Sequence, residues 1–237
     1  MPTVLQLSDL HSGLPGWRPR AERTVAGVRA LDPAPDVVLV TGDVADDGTP
    51  DQYAAAADLL DGLDAHLVPG NHDDRAALAA AFGEASDRVL QLDGATLVLL
   101  DTLVPGHHHG AVSAAGLDLL ADAARDPAPL LVALHHPPVR TGHPVLDTMG
   151  VFDPGPLERV LATRADDTVV VCGHQHTPLT TTFAGHPLVL APSVAPATAW
   201  PGQPGTSDPA TVPPGGVLHV LGDGSVRSRF VCWGPGV

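Results

Sequence analysis

The chain has 237 residues, of which 44% are hydrophobic and 16% charged, so it can bury a large core and is not intrinsically disordered. Its 27 acidic and 12 basic residues give a net charge of −15, which argues against binding to nucleic acid polymers or anionic membranes. Two cysteines, no basic leader and no apolar run of about 18 residues predict a cytoplasmic protein without a disulfide framework or a membrane span.

Short apolar runs alternate with helical patterns in the first part of the chain, and hairpins dominate its end. We predict helices over Arg20–Leu31, Pro50–Gly62, Arg75–Phe82, from Ser113 to Ala124, and over Pro154–Thr163. The predicted strands are Thr3–Leu7, Val37–Thr41, Ala65–Val68, Arg88–Gln91, Ala95–Leu100, Leu130–Leu134, Thr168–Cys172, Leu179–Phe183, His186–Leu190, Gly216–Leu221 and Ser225–Val231.

This order of elements predicts an α/β protein with one mixed sheet or two sheets, covered by helices. No linker divides the chain, so residues 1–237 are expected to form one domain. Residues 191–216 hold many prolines and little periodicity, which predicts a long loop. We expect this loop near the mouth of a site, where Trp200 could pack on a substrate or simply on its own domain.

Polar side chains follow five of the predicted strands, at the point where each strand ends. The carboxyl ends of strands in an open α/β sheet are where ligands bind, so these side chains are expected to converge. They are Asp9 and His11, then Asp43, then Asn71, His72 and Asp73, then His135 and His136, and finally His174 and His176.

Carboxylate, amide and imidazole groups together suit Mn, Fe or Zn, and no cysteine belongs to the set. Each motif alone could be an ordinary polar turn. Together they offer about seven ligands, which is too many for one tetrahedral site. Two divalent ions roughly 3.5–4 Å apart that share one carboxylate fit this number.

The five segments resemble the signature of the calcineurin-like metallophosphoesterases over residues 3 to about 190. The resemblance implies a four-layer αββα sandwich of two mixed β-sheets flanked by helices. Further motifs look like one branch, the class III cyclic nucleotide phosphodiesterases and the related bacterial glycerophosphodiesterases. These motifs are Gly70–Arg75, Asp101-Thr102, His135–Pro138 and Cys172–His176.

The resemblance also implies a role for each motif residue. Asp9, His11 and His176 would bind one metal ion, and Asn71, His135 and His174 the other. Asp43 would bridge the two ions, and His72 would be the catalytic residue beside the leaving oxygen. His135 is chosen over its neighbour because side chains alternate along a strand. The expected supporting residues, which would orient ligands or pack beside them, are Asp46, Asp73 and His136.

The expected reaction is hydrolysis of a small-molecule phosphodiester, with 3′,5′-cyclic nucleotides first, by in-line attack of a metal-held hydroxide. The alternatives are a glycerophosphodiesterase, a phosphomonoesterase, a nuclease, which the acidic charge disfavours, and a noncatalytic scaffold, which should have lost ligands. A homodimer is left open. We expect His107–His109 to be a solvated loop near the site rather than a third metal site. The arginines near the motifs that could meet a phosphate are Arg18, Arg20, Arg75 and Arg140.

Overall fold

The structure is a computed structural model that describes residues 1–83, 86–164, 167–198 and 212–234. Within these ranges the helices are α1 (Trp17–Arg29), α2 (Pro50–Leu60), α3 (Arg75–Phe82), α4 (Ala114–Ala123) and α5 (Gly155–Leu161), with a 3₁₀ turn at Leu146–Thr148. The strands are β1 (Thr3–Leu7), β2 (Val37–Thr41), β3 (Ala65–Val68), β4 (Arg88–Leu92), β5 (Ala95–Leu99), β6 (Leu130–Ala133), β7 (Thr168–Cys172), β8 (Leu179–Phe183), β9 (His186–Leu190), β10 (Gly215–Gly222) and β11 (Ser225–Cys232).

These strands form two mixed sheets. The first sheet has the order β11-β10-β1-β2-β3, in which β1, β2 and β3 are parallel and β10 and β11 are antiparallel. The second has the order β4-β5-β6-β7-β9-β8, in which the four central strands are parallel and both edge strands antiparallel. The central strands are apolar on both faces, as expected for parallel strands that are covered on each side.

Alternation along the strands divides the apolar side chains into three layers. On β2, Val38 and Val40 pack against α1, α2 and α3, whereas Leu39 belongs to the core between the sheets. On β6, Leu131 faces the core between the sheets and Val132 packs beneath α4 and α5. The molecule is therefore layered helix, sheet, sheet, helix, and the predicted fold is confirmed.

Helix α1 differs most from its predicted bounds, since it begins at Trp17 rather than Arg20 and ends at Arg29. Proline is tolerated in the first helical turn, so Pro19 does not delay the start. Trp17 is buried and adds a residue to the helix-side core. Smaller differences occur at α2, which ends at Leu60, and at β10, which begins at Gly215 inside the predicted loop.

The side chain of Gln6 makes polar contacts across the core between the sheets. The amide of Gln6, on β1, donates to the Thr41 hydroxyl at 3.0 Å and to the Cys172 carbonyl at 2.9 Å. Thr41 ends β2 and Cys172 ends β7, so the contact ties the two sheets together where their strands end. No helix among the described residues is long and apolar enough to cross a membrane.

Candidate metal centre

Five of the seven predicted ligands lie on tight loops that follow β1, β2 and β7. Seven non-glycine residues in the described part of the chain have positive φ. Two of them, Ala184 and Asp223, lie in hairpin turns, and the other five are predicted ligands. Such backbone costs roughly 1–3 kcal/mol per residue and persists where surrounding contacts impose it. Hydrogen bonds from the amides of neighbouring loops hold this conformation. The other five are Asp9 (φ 53°), His11 (46°), Asp43 (49°), His174 (72°) and His176 (53°).

A first cluster contains donor atoms of Asp9, His11, Asp43 and His176. The Nε2 atoms of His11 and His176 are 3.1 Å apart, and the His11 Nε2 is 3.5 Å from an Asp43 oxygen. The His176 Nε2 is 3.4 Å from an Asp9 oxygen. All four residues come from loops at the same edge of the molecule, as predicted from their places after the strands.

The hydrogen bonds behind this cluster fix which ring nitrogens face it. The Nδ1 of His11 lies 2.9 Å from the Asp46 carboxylate, and the Nδ1 of His176 lies 2.9 Å from the Pro196 carbonyl. Each Nδ1 therefore carries a proton, and burial lowers the pKa of His11, which favours the neutral ring. The two Nε2 atoms then face each other across 3.1 Å, and a cation between them would bind both lone pairs of neutral rings.

A second cluster forms around His135 and His174, both buried. The Nδ1 of His135 donates to the Thr41 carbonyl at 2.7 Å, so its Nε2 faces the Nδ1 of His174 at 3.2 Å. The Oδ1 of Asn71 and the Nε2 of His174 are buried without a hydrogen-bond partner. A buried amide oxygen without a partner is costly, and a metal ion would satisfy it.

Asp43 lies between the clusters. Its Oδ2 is 3.5 Å from the His11 Nε2 and 3.4 Å from the His135 Nε2, and its Oδ1 accepts the amide of His72 at 3.0 Å. Burial alone would raise the pKa of Asp43, but the imidazoles of His135 and His11 outweigh burial and hold it well below its usual range. The carboxylate is therefore ionised and reaches both groups of imidazoles.

The spacing of these donors fits bound metal ions. Ligand atoms about 2.0–2.2 Å from an ion lie roughly 3.0–3.5 Å from each other in octahedral or tetrahedral geometry. The donor contacts in the two clusters range from 3.1 Å to 3.5 Å. Together with the unsatisfied Asn71 oxygen, these distances show that the residues present fit a pair of divalent ions.

His72 lies at the open side of the first cluster. Its ring centroid is 4.7 Å from that of His11, and its side chain is 39% exposed. Its Nδ1 donates to the Asp46 carbonyl at 2.8 Å, which leaves Nε2 for another group. A ring nitrogen of His72 also lies within 4.8 Å of possible ligand atoms of His11 and Asp46, so the geometry alone would also allow His72 to bind a metal ion.

Asp73 connects the loop after β2 to the loop after β3. Its carboxylate accepts the amides of Val44, Ala45 and Gly70 and the hydroxyl of Tyr53 at 2.9–3.2 Å. Burial, followed by repulsion from Asp43, raises the pKa of Asp73 to about 6, although these donors oppose the rise. Asp73 thus positions the loops that carry Asp43 and Asn71.

His136 approaches the centre more closely than strand alternation suggests. Its Nδ1 lies 2.8 Å from the Thr102 hydroxyl, yet its ring centroid is 4.9 Å from that of His174. Its Nε2 is buried without a partner. Gly110 packs on this ring, where a Cβ would come within 2.4 Å of Nδ1. His136 therefore connects the loop around Gly110 to the second cluster.

Other predicted residues lie outside the two clusters. His107–His109 belong to no group of described residues spaced for a metal ion. Arg75 pairs with Asp101, and Arg20 donates to backbone carbonyls, so both guanidinium groups have partners within the protein. The start of the predicted loop contacts the centre, because the amide of Ala195 donates to the Asp9 carbonyl at 2.9 Å. Trp200 lies outside the described residues.

Several contributors have no signal in the sequence. The carbonyls of Thr41 and Pro196 select the ring tautomers of His135 and His176, but a backbone carbonyl looks the same in every residue. Tyr53, on α2, donates to Asp73 and accepts the amide of Asp74 at 2.7 Å. A lone tyrosine in an alanine-rich helix, with its polar end buried, is the one hint that the sequence offers.

The sequence model of the family described as calcineurin-like phosphoesterase matches residues 2–178. The chain belongs to this family. A cAMP/cGMP dual specificity phosphodiesterase from Mycobacterium tuberculosis is 38% identical over 171 residues, which cover 66% of this chain and 54% of that relative. A probable cyclic nucleotide phosphodiesterase from Rhodococcus erythropolis is 36% identical over 211 residues, covering 80% of this chain and 70% of the relative.

The fold also matches a solved structure of a dimetal phosphatase from Danio rerio. The TM-score is 0.73 at 14% identity, and the match covers 98% of this chain and 99% of that one. This similarity concerns the fold alone. The predicted family is confirmed, and with it a dinuclear divalent metal site whose candidate ligands are the two clusters.

Proposed function

We propose that this phosphoesterase hydrolyses small-molecule phosphodiesters, and 3′,5′-cyclic nucleotides in preference to others, at a centre of two divalent ions. The observation that carries the proposal is the pair of clusters joined by the ionised carboxylate of Asp43. The names of the relatives from Mycobacterium and Rhodococcus support the cyclic nucleotide.

In this proposal Asp9, His11 and His176 hold one ion, Asn71, His135 and His174 hold the other, and Asp43 contacts both. The ions would be Mn, Fe or Zn, which suit oxygen and imidazole donors. When bound, two such ions activate water and neutralise charge on a phosphoryl group. Asp46 and the Pro196 carbonyl orient His11 and His176, and the Thr41 carbonyl orients His135.

His72 is the proposed proton donor to the leaving oxygen. Its Nδ1–H is engaged by the Asp46 carbonyl, so a second proton on Nε2 is the one that it can give away. The Asp46 carboxylate also lies 4.0 Å from this Nδ1. Partial exposure of the side chain leaves room for a substrate beside Nε2.

A diester fits the charges near the centre better than a monoester does. A monoester end carries two negative charges and needs more cationic partners than a diester. Arg75 and Arg20, which the sequence offered as phosphate partners, are bonded to Asp101 and to backbone carbonyls instead. A cytoplasmic location and a homodimer remain predictions.

The test is kcat/KM of the metal-reconstituted protein for 3′,5′-cyclic AMP, glycerophosphodiesters, bis-p-nitrophenyl phosphate and p-nitrophenyl phosphate under one metal condition. We expect the cyclic nucleotide to be the best substrate and both diester classes to exceed the monoester. Asp43→Asn is the blank for contaminating activity. A preference for p-nitrophenyl phosphate would contradict the diester class. If kcat/KM for a glycerophosphodiester exceeds that for 3′,5′-cyclic AMP by more than tenfold, the preference for cyclic nucleotides is contradicted but the diester class is not.

A further inference from the structure

A pocket of about 550 Å³ opens beside the metal centre and has no role in the site described so far. His176 belongs to both, because it lines the pocket while its Nε2 lies 3.1 Å from the Nε2 of His11. The volume falls within the range of about 300–1,000 Å³ that is typical of small-molecule sites. A molecule with its phosphate at the centre could therefore extend into the pocket.

The lining is mostly apolar. Its hydroxyl group, on Ser193, already donates to the Ala195 carbonyl at 2.7 Å. Phe230, on β11, is 42% exposed, and it is one of four large hydrophobic residues exposed in the described part of the chain. The other apolar residues around the pocket are Pro178, Pro192, Ala197, Val212, Pro213 and Val231.

The walls of the pocket are held in place by a buried cation. Arg20, on α1, donates to the carbonyls of Val194 at 2.7 Å, Ala195 at 3.0 Å and Val212 at 2.9 Å. These carbonyls lie near the start and near the end of the 191–216 loop, in the two described segments that contribute residues to the pocket lining. The pocket is therefore preformed rather than a gap between unconnected loops.

We propose that this pocket, here called the base pocket, binds the nucleobase of a nucleotide whose phosphate lies at the metal centre. The inference rests on the proposed function and extends it to the organic half of the substrate. A nucleobase has two flat apolar faces that suit apolar walls and the Phe230 ring. A glycerol group has no flat apolar face to pack on these walls, so it gains less from burial there. The pocket thus selects nucleotides over glycerophosphodiesters.

The test compares equilibrium binding of AMP and ribose 5-phosphate to the metal-reconstituted protein by calorimetry. Both probes offer the same phosphate and sugar, so the ratio of their dissociation constants isolates the base. We expect AMP to bind at least tenfold more tightly, and Phe230→Ala to remove roughly tenfold of AMP affinity while ribose 5-phosphate binding stays unchanged. Ala197→Trp, which fills the pocket, should have the same selective effect.

Phe152→Ala is the matched control, because Phe152 is 79% exposed and does not line the base pocket. Equal affinities for the two probes, or equal effects of the two phenylalanine substitutions, would overturn the base pocket. Failure of the proposed function has a different signature. A protein that hydrolyses no diester but keeps the Phe230-dependent preference for AMP would retain the base pocket and lose the activity.

Discussion

His72, at the edge of the first cluster, is proposed as a proton donor and not as a metal ligand, and the two roles can be told apart. His72→Ala should keep both metal ions and lower kcat by roughly 10²–10⁴-fold, since it removes a proton donor. Metal content and kcat measured on the same preparation check this. His66→Ala, on β3, is the control and should match the wild type. Loss of one ion from His72→Ala would make His72 a ligand instead.

Asp46 acts on the centre through His11, whose Nδ1 lies 2.9 Å from the Asp46 carboxylate. Asp46→Ala should weaken metal binding by roughly 10–100-fold, because the His11 ring loses the group that fixes its tautomer and orientation. Titration of the metal-free protein with Mn²⁺ measures this. Asp47→Ala is the neighbouring control, as Asp47 bonds to Gln52 instead. Equal affinities in the two variants would remove Asp46 from this role.

At the level of elements, the strands were the most predictable part of the molecule. Runs such as Val37–Thr41 are mostly apolar and rich in β-branched residues, which predicts a buried strand, and the whole run is buried in the structure. The start of α1 was missed because a proline can stand inside a first turn as well as before it. The convergence of the candidate ligands was predictable because their residue types are unusual at strand ends. The carbonyls that orient them were not, because they carry no signature of residue type.

Strand β10 carries a buried titratable residue into the core between the sheets. His219 lies on the same face as Val217 and Leu221, with hydrogen bonds to Ser228 at 2.8 Å and to Gln6 at 3.2 Å. Burial lowers the pKa of His219 to about 3, against about 6.5 in the unfolded chain. Below about pH 6.5 this histidine is protonated in the unfolded chain but not in the folded protein. The free energy of unfolding therefore decreases as the pH decreases.

The variant His219→Gln should therefore lose less of its free energy of unfolding than the wild type when the pH is lowered. Between about pH 6 and pH 4, the slope of unfolding free energy against pH should fall by roughly 1.4 kcal/mol per pH unit relative to the wild type. Urea unfolding of the metal-free protein at several pH values measures the slope. His108→Gln, at an exposed position, should keep the wild-type slope. Equal slopes for His219→Gln and the wild type would show that His219 is protonated in the folded state.

On the scale of the whole molecule, the centre depends on the spacing of two sheets. Of the candidate ligands, Asp9, His11, Asp43 and Asn71 follow strands of the first sheet, whereas the other three follow strands of the second. The Gln6 amide spans the gap beneath them, bonded to Thr41 on one side and to Cys172 on the other. A change in this spacing would move the two halves of the ligand set apart.

Gln6→Leu should lower the free energy of unfolding by about 1–3 kcal/mol, because it leaves buried partners of the amide unsatisfied. It should also weaken metal binding, although Gln6 is not a ligand. Urea unfolding and Mn²⁺ titration measure the two effects. Gln91→Leu, on the edge strand β4, is the control: it removes a hydrogen bond from the buried Thr96 hydroxyl and so lowers stability too, but it should leave metal affinity unchanged. If the Gln6→Leu protein is destabilised but binds metal with wild-type affinity, the Gln6 contact does not influence the metal centre.

The number of metal ions per chain tests the dinuclear centre most directly. Elemental analysis of the reconstituted protein after removal of free metal should give two ions per chain in the wild type. Asp43→Ala should lose both, because one carboxylate oxygen lies 3.5 Å from the His11 nitrogen and 3.4 Å from the His135 nitrogen. One ion per wild-type chain, or two tightly bound ions in Asp43→Ala, would contradict a pair of ions joined by Asp43.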